Sequence, residues 1–155
     1  MLDNYILDQT CFDWPEILKS WSWLIPSEFT VWIVNRFGDL FIELEDGQVF
    51  QLRMDDGRFE RLAVSKDEFC TKIDENGNAS EWLYISLVDE LVAKEINLTD
   101  SQCYGFVQCP VVGGDYVAEN IKPVSVAEYI SFMGEFYEKI KDLPDGANVE
   151  LKVTP

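Results

Sequence analysis

The chain has 155 residues, 47% of them hydrophobic and 14% aromatic, so it can build a core of its own and is not a disordered chain. Twelve Lys and Arg stand against 29 Asp and Glu, a formal charge of -17 that excludes the positive footprint nucleic acids and anionic lipid surfaces require. It contains no His, which removes the commonest general base, the Ser-His-Asp and Cys-His systems, and the commonest transition-metal ligand.

Residues 13–25 predict a helix. Asp13 is its N-cap, and Pro15 falls in the first turn, where a missing N–H costs little. Ile17, Leu18, Trp21 and Leu24 recur at three- and four-residue spacing, and Pro26 ends the run. Residues 29–36 are rich in β-branched and aromatic residues and predict a strand. Leu40, Ile42 and Leu44 alternate with Asp39, Glu43 and Glu45, the pattern of a strand with one solvated face. Asp46-Gly47 is a tight-turn signal, and Phe50, Leu52 and Met54 then share one side of a third strand. Asp56-Gly57 repeats the turn before a fourth strand over 58–64. Short turns between such strands imply an antiparallel meander.

Helical signals follow. Ser65 and Glu68 form a capping box that opens a short helix with Phe69, Cys70 and Ile73 on its apolar side. Asn76-Gly77-Asn78 breaks it. Residues 81–94 predict one longer helix carrying Tyr84, Leu87, Val88, Leu91 and Val92 on a face. Residues 103–109 predict a strand. Residues 110–116 predict a loop with paired glycines, and 117–124 a strand with Pro123 at its edge or end. A second capping box, Ser125 to Glu128, opens a strong helix. Tyr129, Met133, Phe136 and Ile140 form its stripe, flanked by Ile130 and Tyr137, and Leu143-Pro144-Asp145-Gly146 ends it. The order predicts an α+β fold, an antiparallel β-sheet (a meander of hairpins) packed against helices. The expected organisation is an N-terminal helical segment, 1–26, forming one compact unit with an α+β domain over 27–155.

No apolar run approaches about 18 residues, so no transmembrane helix is expected. The N-terminus has no cationic stretch before an apolar one, so no signal peptide is expected and the predicted location is cytoplasmic. Cys11, Cys70, Cys103 and Cys109 form no C-x-x-C pair and are expected as reduced, mostly buried thiols.

Few constellations carry chemistry. Asp74-Glu75-Asn76-Gly77-Asn78 begins like a calcium loop. Ala79 stands where that loop needs Gly, and Ile85 where it needs a bidentate Glu, so a helix–helix turn is expected instead. Gly113-Gly114 lacks the order and the basic neighbours of a phosphate loop. Glu43, Glu45, Asp46, Asp55 and Asp56 cluster around two hairpins. They read as a solvated face with turn residues, or as an acidic surface that steers a basic partner. Trp14, Trp21, Trp23 and Trp32 are dense for so short a stretch, and tryptophan is enriched at interface hot spots.

Six strings, taken in order, resemble the C-terminal domain of the type VI secretion DNase-immunity proteins. They are Phe37-Gly38-Asp39-Leu40-Phe41, Asp46-Gly47-Gln48-Val49, Glu81-Trp82-Leu83, Gln102-Cys103-Tyr104-Gly105-Phe106, Gly113-Gly114-Asp115-Tyr116 and Leu143-Pro144-Asp145-Gly146. The resemblance runs from about Trp21 to about Val149. It implies a bacterial cytoplasmic protein that binds and silences a toxin, often a nuclease, with no catalytic residues of its own. Relatives can carry a larger N-terminal domain of the glutamyl-amidotransferase-associated type; here a short helical segment precedes the first strand.

The expected function is an immunity protein that occludes a basic cognate toxin with an acidic face, as a nucleic-acid mimic would. Candidate contacts are Asp46, Asp55, Asp56, Asp115, Glu119, Trp14 and Trp23. The alternative is a non-catalytic regulatory or scaffolding module anchored by its tryptophans. No enzymatic activity, cofactor, metal, nucleic acid or membrane partner is expected, and the charge favours a monomer over a homodimer.

Overall fold

Alternating apolar residues and the turns between them build the meander. The computed structural model describes residues 2–142; the predicted stop at Leu143-Pro144-Asp145-Gly146 lies outside the described residues. Strands β1 (Phe29–Val34), β2 (Leu40–Leu44), β3 (Val49–Leu52) and β4 (Phe59–Ala63) form one antiparallel sheet in the order β1-β2-β3-β4. Leu40 pairs with Leu52 and Ile42 with Phe50, so the alternation sets the register. A bulge between Val31 and Ile33 lets both Val31 and Val34 face the same core as Leu40 and Ile42.

The prediction of one solvated face is corrected. Leu40, Ile42, Leu52 and Met54 pack beneath the N-terminal segment and the last helix, α5 (Val126–Ile140). Phe41 and Val49 point the other way. They pack against Phe69 and Trp82, carried by α2 (Lys66–Lys72) and α3 (Asn78–Leu83). Helices thus cover both sides of the sheet, and Phe41 is fully buried where alternation alone places it among acids. Both capping boxes form: Glu68 N donates to Ser65 Oγ at 3.1 Å, and Glu128 N to Ser125 Oγ at 3.3 Å.

Three other elements differ from their predictions. Residues 81–94 make two helices, α3 and α4 (Ile85–Ala93), separated by Tyr84 at φ +53°. The left-handed residue costs energy. In return its ring stacks on Phe37 with centroids 4.3 Å apart, and α4 turns Val88 and Leu91 toward a different cluster from Trp82 and Leu83. Val92, expected on that face, is exposed. Residues 13–25 make only α1 (Trp14–Ile17), capped by Asp13, and a tighter 3-10 turn over Leu18–Trp21. Side-chain donors replace the missing helical order: Ser20 Oγ, Trp21 Nε1 and Trp23 Nε1 donate to the carbonyls of Ser131, Ile130 and Gly134 on α5. The approach is so close that a Cβ on Gly134 would lie 2.2 Å from Ser20 Oγ, which only glycine permits.

The third difference concerns β5 (Gln102–Phe106) and β6 (Ile121–Ser125), which form a separate two-stranded antiparallel ribbon. Cys103 and Val124 face α5, while Tyr104, Phe106 and Ile121 face α4. The strands predicted to reach 109 and to start at 117 stop short because Asn120 takes over the pairing. Its Oδ1 accepts from Gln108 N, and its Nδ2 donates to the carbonyls of Gln108 and Asp115.

The thiols divide. Cys103 and Cys109 are buried as expected, whereas Cys11 and Cys70 are exposed. Burial pushes the thiol pKa of both buried residues up. A maleimide at neutral pH is therefore expected to label two cysteines per chain promptly and the other two only on unfolding, which intact-mass spectrometry checks. Four prompt additions would contradict this core.

Candidate functional site

The turn between β3 and β4 holds the most structured group of charges. Arg53 Nε and Nη2 donate to Asp55 Oδ1 and Oδ2 at 3.1 and 2.8 Å, a two-pronged contact. Tyr116, from the β5–β6 loop, donates its hydroxyl to the same Asp55 Oδ2 at 2.6 Å. Burial pushes the Asp55 carboxyl up, but hydrogen bonds from Arg53 and Tyr116 outweigh it and hold the group below its usual range. Asp56, more open, is raised by its partial burial. Gly57 at φ +71° completes the turn, and a Cβ there would meet the Tyr137 ring at 2.6 Å. Tyr137 in turn donates its hydroxyl to Met54 O at 2.7 Å, tying the turn to α5.

A buried polar knot lies behind this turn. Asn35 Oδ1 accepts from the amides of Phe37 and Asp39, both at 3.0 Å, and Asn35 Nδ2 donates to Trp82 O and Asp39 Oδ2. Asp39 Oδ1 accepts from Met54 N at 2.8 Å. Burial, followed by repulsion from Asp55, pushes the Asp39 carboxyl up to about 7. Asn35 thus joins the β1–β2 turn to the end of α3, and Asp39 joins it to the end of β3.

The structure brings some predicted contacts together and separates others. Tyr116 joins Asp55 directly, with Asp56 next to Asp55 in the turn, Asp115 next to Tyr116 in the loop, and exposed Glu119 following on the same loop. Trp23 borders a shallow groove of about 390 Å3 that Asp56, Phe59, Val111 and Ile140 also line. Asp46 belongs to the β2–β3 turn, at the other end of β3, where it accepts from Gln48. Two candidates are buried. Asp55 is only 1% exposed because its carboxylate is spent on Arg53 and Tyr116, so it positions Tyr116 rather than facing solvent. Trp14 is 9% exposed; its ring lies against Phe12 and its Nε1 donates to Gln9 Oε1.

Sequence reasoning missed the apolar part of this region. Val107, Val111, Tyr116 and Val117 are four of the eight large hydrophobic residues exposed among the described residues, and all lie within one loop. Pro110 and Gly113-Gly114 were the available signal that this stretch leaves the sheet. Among the described residues, no three Cys, Asp or Glu side chains are grouped to hold a metal ion. No described helix is long and apolar enough to cross a membrane.

Comparisons with known proteins relate part of the chain to a family. No curated protein matches it. Among solved structures, it is similar to the crystal structure of Atu4351 from Agrobacterium tumefaciens, at 15% identity and a TM-score of 0.49. That similarity covers 77% of this chain and 60% of the other, so the chain spans less than two thirds of that protein's length. The family model described as T6SS immunity protein Tdi1, C-terminal, matches residues 63–137. This is narrower than the resemblance read from the strings: it includes Glu81-Trp82-Leu83, Gln102 to Phe106 and Gly113 to Tyr116, and leaves out those before β4 and after α5. Residues 63–137, from the last residue of β4 into α5, are thus similar to the C-terminal region of the T6SS immunity protein Tdi1.

Proposed function

We propose that this protein is a cytoplasmic immunity protein that binds a cognate toxin delivered by type VI secretion and blocks it by covering it with an acidic surface. The family match over residues 63–137 carries this reading. The formal charge of -17 adds the chemistry of the partner, a basic protein such as a nuclease, whose positive groove an acidic face can occupy. The action is stoichiometric occlusion by a monomer, without catalysis, metal or cofactor. Exposed Asp46, Asp115 and Glu119, together with half-buried Asp56 and Trp23, are the acids and anchor available for contact.

The experiment is a titration against the purified protein encoded beside this one, at low and high salt, with that protein's toxic activity assayed in parallel. Tight binding that weakens as salt rises and abolishes the activity is the expected result. Absence of binding at low salt rejects the reading and returns the protein to the class of regulatory or scaffolding modules.

A further inference from the structure

We propose that the β5–β6 loop, from Val107 to Glu119, is the docking surface for the toxin, and that it takes a partner presenting an apolar patch flanked by Lys or Arg. The proposal rests on the immunity reading and names the surface that performs it.

The loop carries more of the exposed large hydrophobic residues than any other connection or element of the described chain. Val107, Val111, Tyr116 and Val117 are 42–49% exposed, and among the described residues half of the exposed large hydrophobic ones fall within these eleven positions. Clustered exposed apolar residues on an otherwise charged protein mark interaction sites. Val111 also borders the groove beside Trp23 and Phe59, so the apolar surface continues past the loop.

The loop is held in shape before any partner arrives. Asn120 spans it with bonds to Gln108 and Asp115, and Gln108 Nε2 donates to Val112 O at 3.0 Å. Gly114 sits so tightly that a Cβ would lie 1.7 Å from Gln108 O. Tyr116 is fixed at three points: its hydroxyl on Asp55, its face toward Tyr84 and its edge on Phe106. A rigid aromatic beside ordered backbone loses little entropy on binding, which is what an interface anchor needs.

Charge selects the occupant. Residues 95–121 contain no Lys or Arg, yet they carry Glu95, Asp100, Asp115 and Glu119. Asp115 and Glu119 are both exposed and lie on either side of the exposed Tyr116 and Val117. An apolar centre with a carboxylate rim fits a cationic protein surface and repels an acidic one, including a second copy of this chain.

The test uses the full chain and the purified neighbouring-gene protein. Val111→Lys with Val117→Lys should weaken binding by about 100-fold, the loss of a hot spot, with the melting temperature unchanged because both sites are exposed. Asp115→Asn with Glu119→Gln should weaken binding by about 10-fold at low salt and flatten its salt dependence. Val64→Lys with Val92→Lys, equally exposed on other elements, should change it less than about 2-fold. Loop variants that fold and bind like the wild type overturn the proposal while leaving the immunity reading intact. A wild type that does not bind overturns both.

Discussion

Replacing Asn35 with alanine lowers the folding stability by about 4 kcal/mol, a large share of the roughly 5–15 kcal/mol a domain possesses. The side chain is fully buried and makes four hydrogen bonds, to Phe37 N, Asp39 N, Trp82 O and Asp39 Oδ2. Alanine removes all four at once and leaves two amides, a carbonyl and a carboxylate oxygen without partners in a site closed to water. Each such group costs about 1–3 kcal/mol, partly relieved by local relaxation. Urea unfolding followed by tryptophan fluorescence should show a lower midpoint with an unchanged slope. A loss below about 1 kcal/mol would mean that water fills the space, and the polar knot would not be the joint between turn and helix described above.

The second large effect is a stability that falls as pH rises from 4 to 7. Asp39 ionises near 3.8 when unfolded but near 7 when folded, because burial and then Asp55 oppose its charge. Between those values the native chain holds a proton that the unfolded chain has released, so raising the pH favours unfolding. Three pH units of difference amount to on the order of 4 kcal/mol, present below pH 4 and lost by about pH 7. Asp55 acts in the opposite sense. Its folded carboxyl is held below the usual range, so its contribution is present above that range and disappears in acid. The melting temperature should therefore peak in acid, near pH 4, rather than at neutrality. Asp39→Asn tests the assignment by slope rather than level. Its amide would face Asn35 Nδ2, donor against donor, so the variant is less stable at pH 4, yet its stability should stay nearly flat from pH 4 to 7. A variant that keeps the wild-type slope would place the titration elsewhere.

The meander and the capped helices were legible because their signals are local. Asp46-Gly47 and Asp56-Gly57 mark turns by backbone conformation, and Ser65 and Ser125 mark helix starts by satisfying an amide three residues on. Burial on the second face of the sheet was not legible, because Phe41 acquires its neighbours Phe69 and Trp82 only through tertiary packing. Tyr84 gives no local sign of its left-handed backbone, which depends on Phe37 lying beneath its ring. Asp55 reads as a turn acid in sequence and becomes a buried ligand of Arg53 and Tyr116, the latter 61 residues away. The acids of the β5–β6 loop were found by charge alone. Val107 and Val117 were not, since they fall in the predicted strands 103–109 and 117–124 and read as core until those strands are seen to stop at Phe106 and to start at Ile121.

The three bonds that tie the N-terminal segment to α5 also set a clock. Trp21 meets Ile130 across 109 positions, and Ser20 meets Ser131 across 111. At ribosomal speeds the later partner is made on the order of ten seconds after the earlier one. Throughout that interval Trp14, Trp21 and Trp23 have no α5 to cover them, and contacts so distant along the chain form slowly even once both ends exist. The newborn protein is thus most exposed to proteolysis and aggregation just before its last helix emerges, when a tryptophan-rich leading segment is still waiting for the surface that buries it.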